Sequence, residues 1–555
     1  MSLEYLDHMD IFFIQHWWWL YLPLGLGMLL FQYVQRRGGL IVFGLFVLVG
    51  GLLVYFLGWN IIGPLLLYGL LPSLFLNMLI GLLFYIHEDE ATISPKYQAR
   101  LPLRGSTLTL KNIRRGISII GSAGSGKTES VVYALLRHFQ KHGFCGVIHD
   151  YKHFEITELA YPLFKDQGIP FHIVSFDTLH KRVNPIAPRY LPDEESVNEV
   201  SRVLLENLLE QRESVSQGSS KFFNDAVEGL LGGLIWMLRT HHPKYCSLPH
   251  LIAVYQLLEP EHLIQWLSQD LVAKAMADAF IAGRASERQT AGVLSTLANA
   301  LKKISTQRIF MVLSADEVDL DINNPKNPAV LSIVNHPKFE TAYSPIIATI
   351  LHTVIKQMSL RGQRHSFVLM EEAPTIRLLN MHRIPATLRS YDITTVYVMQ
   401  DKAQNDMMYG DKASRAILSN LSYQFFGKAN DPDTAYYYER FFELVKRPIR
   451  SVSKKADFMA SDTRITHIER EVGKVRSEEF FRLRQGEFIA FSDGKDRKVR
   501  FPVPKAELDL PHPKFTSDSP EIAANFNRIH LEVKGLFQKQ RETNNNETRF
   551  TDNLP

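Results

Sequence analysis

Apolar residues run almost without interruption from Ile11 to Ile86 and then give way to shorter alternations. Three apolar spans stand out, about Phe13–Val34, Leu40–Leu57 and Ile61–Ile86. Each is long enough to cross a hydrocarbon core of roughly 30 Å, which takes about 20 helical residues. The pattern therefore predicts a bundle of three transmembrane helices over residues 1–86. Trp17, Trp18 and Trp19 suit a membrane interface, and equally suit packing between helices. Arg36-Arg37 sits between the first two spans and assigns that loop to the cytoplasm. Glu4, Asp7 and Asp10 precede the first span with no lysine or arginine, so the N-terminus is expected outside and the chain after Ile86 inside. Pro64 and Pro72 leave open a re-entrant pair in place of the third helix. With no basic segment before the first span, a cleavable signal peptide is not expected.

Beyond the apolar stretch the periods change. Leu108–Leu110, Ile117–Ile120, Gly143–His149 and Phe171–Phe176 read as short strands, and Glu129–Phe139 carries apolar residues on a helical period. From Asp193 to Ser305 the helical period dominates, with helices expected over Val200–Leu209, Phe222–Leu238, Pro249–Leu267, Leu271–Phe280 and Gln289–Ile304. Strands then return at Ala329–Val334, Ser366–Met370 and Thr394–Met399, with helices at Pro345–Met358 and Ile384–Ser390 between them. Alternating strands and helices predict an α/β fold with a parallel sheet, interrupted by an all-helical insertion. The expected divisions are a membrane anchor (1–86), a first part of the nucleotide-binding domain (87–192), the insertion (193–305), a second part (306–510) and a C-terminal segment (511–555). In that last segment Pro520–Lys539 is weakly helical, started by Ser519 and Pro520, and the polar run Thr543–Arg549 is expected to be disordered. A docking element and a strap on the motor are both open readings of the helix.

The strand Ile117–Ile120 feeds Gly121-Ser122-Ala123-Gly124-Ser125-Gly126-Lys127-Thr128, which has the spacing G-x-x-x-x-G-K-[ST], and Glu129 then opens a helix. Strand, glycine loop and helix in that order make a phosphate cradle. Backbone N–H groups wrap the anion and the helix N-terminus adds partial positive charge. Lys127 is expected to reach the outer phosphates and the Thr128 hydroxyl to hold Mg²⁺, so ATP with Mg²⁺ is the expected ligand. Far downstream, Ser366–Met370 ends in Glu371-Glu372, the acidic half of a P-loop ATPase site. Glu371 is the expected metal acid and Glu372 the residue that polarises water. Gln400 ends the next strand, where an amide can sense the γ-phosphate. Arg389 is either solvated or reaches a neighbouring subunit's nucleotide. Asp150-Tyr-Lys152 places charge at another strand end, where α/β ligands bind, although a solvated turn reads the same way.

Bulk composition narrows the function further. A chain of 555 residues is too long for one core. Its 62 basic and 58 acidic side chains leave a formal charge of +4, which speaks against coating DNA by bulk charge but permits a local basic channel. Two cysteines, Cys145 and Cys246, make neither a disulfide framework nor a zinc site.

The motif order Met370–Ile376, Ile384-Pro385, Arg389, Val398-Met399-Gln400, Gln404–Gly410, Asp431–Ala435 and Leu483–Ile489 follows the P-loop, Asp150-x-Lys152 and Asn184-Pro185. In that order it resembles the type IV secretion coupling proteins, the TraG/TraD-like conjugative DNA-transfer ATPases, over about residues 15–505. The chain departs from the family pattern in Glu371, where aspartate is usual, and in a third span where two are common. The resemblance implies a RecA-like motor with a helical insertion, assembled as a homo-hexamer in the bacterial inner membrane. The N-terminus would then be periplasmic and the motor cytoplasmic. It implies relaxase or relaxosome, single-stranded DNA and secretion-channel components as partners. Lys127 and Thr128 would hold phosphate and Mg²⁺, Glu371 and Glu372 would serve metal and water, Arg389 would be a finger in trans, and Gln400 the sensor. Two alternatives remain. One is an FtsK/HerA-like DNA translocase, expected to lack the insertion. The other is an ATP-binding adaptor that recruits protein effectors, which the acidic pair disfavours.

Overall fold

The computed structural model describes residues 93–209, 219–442, 444–454, 463–516 and 518–551. The three predicted membrane spans lie outside the described residues. Among the described residues no helix is long and apolar enough to cross a membrane.

The chain enters through an antiparallel ribbon, β1 (Ala99–Leu103) and β2 (Ser106–Leu110), whose buried and exposed positions alternate. There follow β3 (Ile117–Ile120), β4 (Cys145–Asp150), β5 (Phe171–Val174) and the two-residue β6 (Thr178–Leu179). After a long helical stretch come β7 (Val330–Val334), β8 (Ser366–Met370), β9 (Ile393–Met399) and β10 (Tyr423–Phe426). The chain then forms β11 (Leu444–Lys454) with β12 (Thr463–Gly473), β13 (Glu487–Ser492) with β14 (Lys495–Arg500), and finally β15 (Phe515–Thr516).

Nine of these strands make one sheet in the order β14-β13-β10-β3-β9-β8-β4-β7-β5. From β10 to β5 all neighbours are parallel, and β13 and β14 add an antiparallel edge. Every residue of β3, β4, β7, β8 and β9 is buried, as expected for parallel strands covered on both faces. At the other extreme, β14 alternates poorly and exposes Lys495, Arg497, Lys498 and Arg500, charges that discourage pairing at a free edge. The register sets Ile120 beside Met399, Met370 beside Tyr397 and His149 beside Met370. The strand ends at Gly121, Gln400, Glu371 and Asp150 therefore share one edge, with β9 standing between the loop strand and the acid strand.

Between β6 and β7 the regular elements described are all helical, from Pro188–Tyr190 to Gln307–Leu313. Asp193, Asp270, Ser286 and Thr306 each cap a helix by accepting from backbone N–H groups of its first turn. The single helix expected over Pro249–Leu267 is two, Leu248–Leu257 and Pro260–Leu267. Pro260 lacks an N–H and its ring opposes continuation, so it starts a new helix instead. These helices share one continuous apolar core with the sheet, including Leu204, Leu234, Leu251, Ile309, Ile346 and Leu351. The helix Glu340–Met358 packs along Glu194–Leu208 and links the two regions.

The C-terminal helix, Pro520–Thr551, lies on Leu248–Leu257 and Gln307–Leu313 and buries Ile522, Ile529 and Val533. Phe526 meets Phe310 with ring centroids 4.7 Å apart, and Glu532 lies 3.0 Å from the buried His250. This portion is a strap over the helical region. The helix also continues through Thr543–Arg549, where disorder was expected; that run contains no glycine or proline to stop it.

Candidate nucleotide site

The loop after β3 keeps its shape by local means and by two anchors. Gly121 N–H donates to Met399 O (3.2 Å), and Ser122 N–H to Lys428 O (2.8 Å). Gly124 (φ +74) and Gly126 (φ +82) take left-handed backbone, which side chains other than glycine rarely adopt. A Cβ on Gly126 would also stand 3.0 Å from the Gly486 amide nitrogen, and Gly486 N–H donates to Ser125 O (2.9 Å). The following helix begins as a π turn over Thr128–Val132 before becoming α-helical from Tyr133 to Lys141. Ser122 and Ser125 hydroxyls are buried and have no partner, while Ala123 and Gly124 form the exposed tip. Glu129 is exposed and accepts from Gln485 Nε2 at 3.4 Å. The Lys127 ammonium folds back onto its own loop, donating to Gly121 O at 2.6 Å. Burial holds its pKa below the usual lysine range, against the raising effect of Glu372.

The acidic half is assembled from several segments. Glu371 N–H donates to His149 O (3.0 Å), and its Oε2 accepts from Tyr151 N–H (3.1 Å). Glu372 turns the chain through left-handed backbone (φ 43), and its Oε1 accepts from Gln400 Nε2 at 3.1 Å. The two side chains are only 1% and 2% exposed, respectively. Lys152 Nζ lies 3.2 Å from Glu371 Oε1 and 3.5 Å from Glu372 Oε1. Lys127 Nζ lies 4.0 Å from that same Glu372 oxygen. Burial, reinforced by the neighbouring Asp150 carboxylate, pushes the Glu371 carboxyl well above the usual range. Asp150 is itself raised by burial, although its Oδ2 accepts from Thr157 Oγ1 (2.6 Å), Thr157 N–H (2.8 Å) and Ile156 N–H (3.1 Å).

The whole predicted loop, Gly121 to Glu129, thus shares one edge with Glu371, Glu372 and Gln400. The residues suit a triphosphate and a divalent cation: a glycine cradle with unpartnered buried hydroxyls, a buried ammonium beside it, and two carboxylates facing it across β9. Arg389 is placed elsewhere. It is exposed at the end of the helix Ile384–Arg389, which leads into the start of β9, so it lies at the opposite edge of the sheet.

Three further contacts do not follow from the sequence, although Lys152 and Gly486 lie within the motifs Asp150-x-Lys152 and Leu483–Ile489. Lys152 bridges the acidic pair, Gly486 seats the glycine loop, and Arg377 clasps the helical region. Arg377 Nε lies 3.1 Å from Glu206 Oε2, its N–H donates to Asn207 Oδ1 (2.9 Å), and its NH1 donates to Met408 O (2.7 Å). A cavity of about 450 Å³ opens beside Glu372 and Gln400, lined also by Tyr151, Glu340, Arg377 and Met407. An arginine one turn past the acids, with a partner more than a hundred residues upstream, cannot be read from spacing.

A mainly parallel sheet with a glycine loop on one strand, acids two strands away and an amide on the strand between them is the RecA-like form of the P-loop NTPase fold. Within that class, the family model described as type IV secretory system conjugative DNA transfer matches residues 84–496, and the chain belongs to this family. Among solved structures, the unbound bacterial conjugative coupling protein TrwB lacking its N-terminal segment (TrwBdeltaN70) is 13% identical. That match covers 76% of this chain and 93% of the other, with a TM-score of 0.58. TrwB in complex with ADP and Mg²⁺ is likewise 13% identical over 76% of this chain and 94% of that one, with a TM-score of 0.59. Similarity at this level concerns the fold. No curated protein sequence matches the chain.

Proposed function

We propose that this protein is an ATPase of the bacterial inner membrane that couples relaxase-bound DNA to a type IV secretion channel, using ATP hydrolysis to drive transfer. The observation that carries the reading is the meeting of Lys127 and Glu372, 4.0 Å apart across β9 although they lie far apart in sequence. TrwB has been solved with ADP and Mg²⁺ and with a non-hydrolysable ATP analogue, which supports the same ligand class here. Family membership over residues 84–496 favours DNA coupling over an FtsK/HerA-like translocase.

In this reading, backbone N–H groups from Gly121 to Thr128 cradle the phosphates, and Lys127 exchanges Gly121 O for a phosphate oxygen. Thr128 and Glu371 would hold Mg²⁺, which when bound neutralises charge developing between the outer phosphates. Glu372 orients the attacking water and accepts its proton, while Gln400 fixes the carboxylate that does so. Arg389 acts on a neighbouring subunit's nucleotide, because its own strand separates it from its own loop. That role requires an oligomer, for which a homo-hexamer anchored through residues 1–86 is the proposed form.

The test is ATP turnover by the full-length protein with and without single-stranded DNA. Stimulation that weakens steeply between roughly 50 and 200 mM salt is expected, because phosphate contacts release counterions. A response indifferent to DNA would instead favour an adaptor for protein effectors. Mixing Arg389→Ala with Lys127→Ala subunits should restore part of the turnover if the arginine acts across an interface; no recovery at any ratio removes that role.

A further inference from the structure

Two carboxylates buried side by side either take up a proton or share a compensating cation. Lys127 stands 4.0 Å from Glu372, and its nearest partner is a carbonyl of its own loop. Lys152 is placed differently. It follows β4 by two residues, and its Nζ reaches Glu371 Oε1 (3.2 Å), Glu372 Oε1 (3.5 Å) and Glu155 Oε2 (3.6 Å). Two of these acids are buried and fixed, whereas Glu155 is 40% exposed on the first turn of the next helix. The ammonium thus sits between one oxygen of each buried acid, that of Glu372 being the one nearest Lys127, with a more exposed carboxylate already within reach. The segment carrying it is unusual as well: His153 (φ 51) and Phe154 (φ 75) both take left-handed backbone immediately after Lys152. Such strain persists where surrounding contacts hold it, here at the turn between β4 and the helix Glu155–Phe164.

We propose that Lys152 is a tethered counter-ion of the acidic pair that gives up these carboxylates and moves to Glu155 when a divalent cation is bound there. A cation coordinated near these oxygens would stand within a few ångströms of the ammonium, so both cannot be held at once. A lysine tethered in place competes with free Mg²⁺ at high effective concentration, and the pair opens only to metal that also gains the contacts of a nucleotide in the loop. Lys152 is in this sense a positioning residue: it acts through Glu371 and Glu372. The inference rests on the reading of the site as one for Mg²⁺ and nucleotide.

The measurement is calorimetric titration of full-length, nucleotide-free protein with MgCl₂. Lys152→Met keeps the length of the side chain and removes its charge. It is expected to bind Mg²⁺ at least about tenfold more tightly than wild type, with Lys152→Arg restoring the wild-type value. Equal or weaker binding by Lys152→Met overturns the inference. A second measurement needs no variant: amine-reactive labelling of wild type, read by mass spectrometry at Lys152. Labelling should rise severalfold when Mg²⁺ and a non-hydrolysable ATP analogue are added, and an unchanged rate overturns the inference even if Lys152→Met does not fold. Failure of wild type to bind Mg²⁺ with nucleotide at all would overturn the underlying reading as well. Normal nucleotide binding with no effect at Lys152 would sink the inference alone.

Discussion

The glycine loop and the acidic turn face each other across β9, yet they hold their shapes for different reasons. The loop is mainly local. Gly124 and Gly126 permit its left-handed turns, and the helix that follows begins within two residues of the last glycine. Contacts from far along the chain, to Met399, Lys428, Gln485 and Gly486, anchor a shape that the glycines already permit. The acidic turn has no glycine, although Glu372 adopts left-handed backbone. It is held by Tyr151, Lys152 and Gln400, which follow β4 and β9 rather than its own strand. A motif whose geometry resides in its own residue types tolerates distant change, whereas one built from imported contacts should fail by degrees when those contacts are removed.

The largest effect should come from the local half. Lys127→Ala removes the ammonium nearest the cradle, and ATP turnover should vanish with nucleotide affinity down about a hundredfold or more. Survival of turnover would break the assignment of this half. Next, Glu372→Gln should leave nucleotide affinity close to wild type while hydrolysis drops roughly 10²–10⁴-fold, the usual range for a lost general base. If binding is lost instead, the acidic half is a structural support and the two halves do not divide the work. Gln400→Ala removes one charge-assisted hydrogen bond to Glu372, about 1.5–3 kcal/mol, so hydrolysis should slow roughly 10- to 150-fold. A rate equal to wild type would mean that the imported contact does not position the carboxylate.

The smallest effect is one of pH on stability, to which buried histidines on the helices behind both halves contribute, as does His149 on β4. His138 lies on the helix after the loop and His352 on the helix before β8, and burial lowers both to about 4. A folded pKa below the usual 6.5 means that the folded protein prefers the neutral ring. Their contribution is therefore full above about pH 6.5 and lost as pH falls toward about 4, by at most about 1.4 kcal/mol per histidine for each pH unit crossed. Thermal unfolding followed across that window should steepen at lower pH, and His138→Gln or His352→Gln should each flatten part of the slope. Identical profiles for wild type and both variants would assign the acid sensitivity elsewhere.

The two halves also differ in how legible they were. The strands bearing them were readable because buried parallel strands are unbroken apolar runs: Ser366–Met370 is the observed β8, and β9 begins one residue before the expected Thr394. The charged edge strand β14 had no comparable signal, since a strand with Lys495, Arg497, Lys498 and Arg500 looks like a solvated loop. Lys152 was visible as charge at a strand end and as part of the Asp150-x-Lys152 motif, but neither shows what it touches. Its bridge to Glu371 spans more than two hundred residues and follows from β4 lying beside β8, a neighbour relation that no local pattern encodes.

By itself, then, the sequence determined the composition of the site and the conformation of its glycine loop, because residue type alone sets which backbone angles are open to glycine and which runs must be buried. It also carried the motif order that marks the family. Tertiary structure decided the rest. Strand order placed β9 between loop and acids, pairing with β4 brought Lys152 onto the carboxylates, and the start of β9 set Arg389 at the far edge from its own loop. The physical reason is range: backbone preference acts over a few residues, while the charge balance of two buried carboxylates is settled by whichever cation the fold delivers to them.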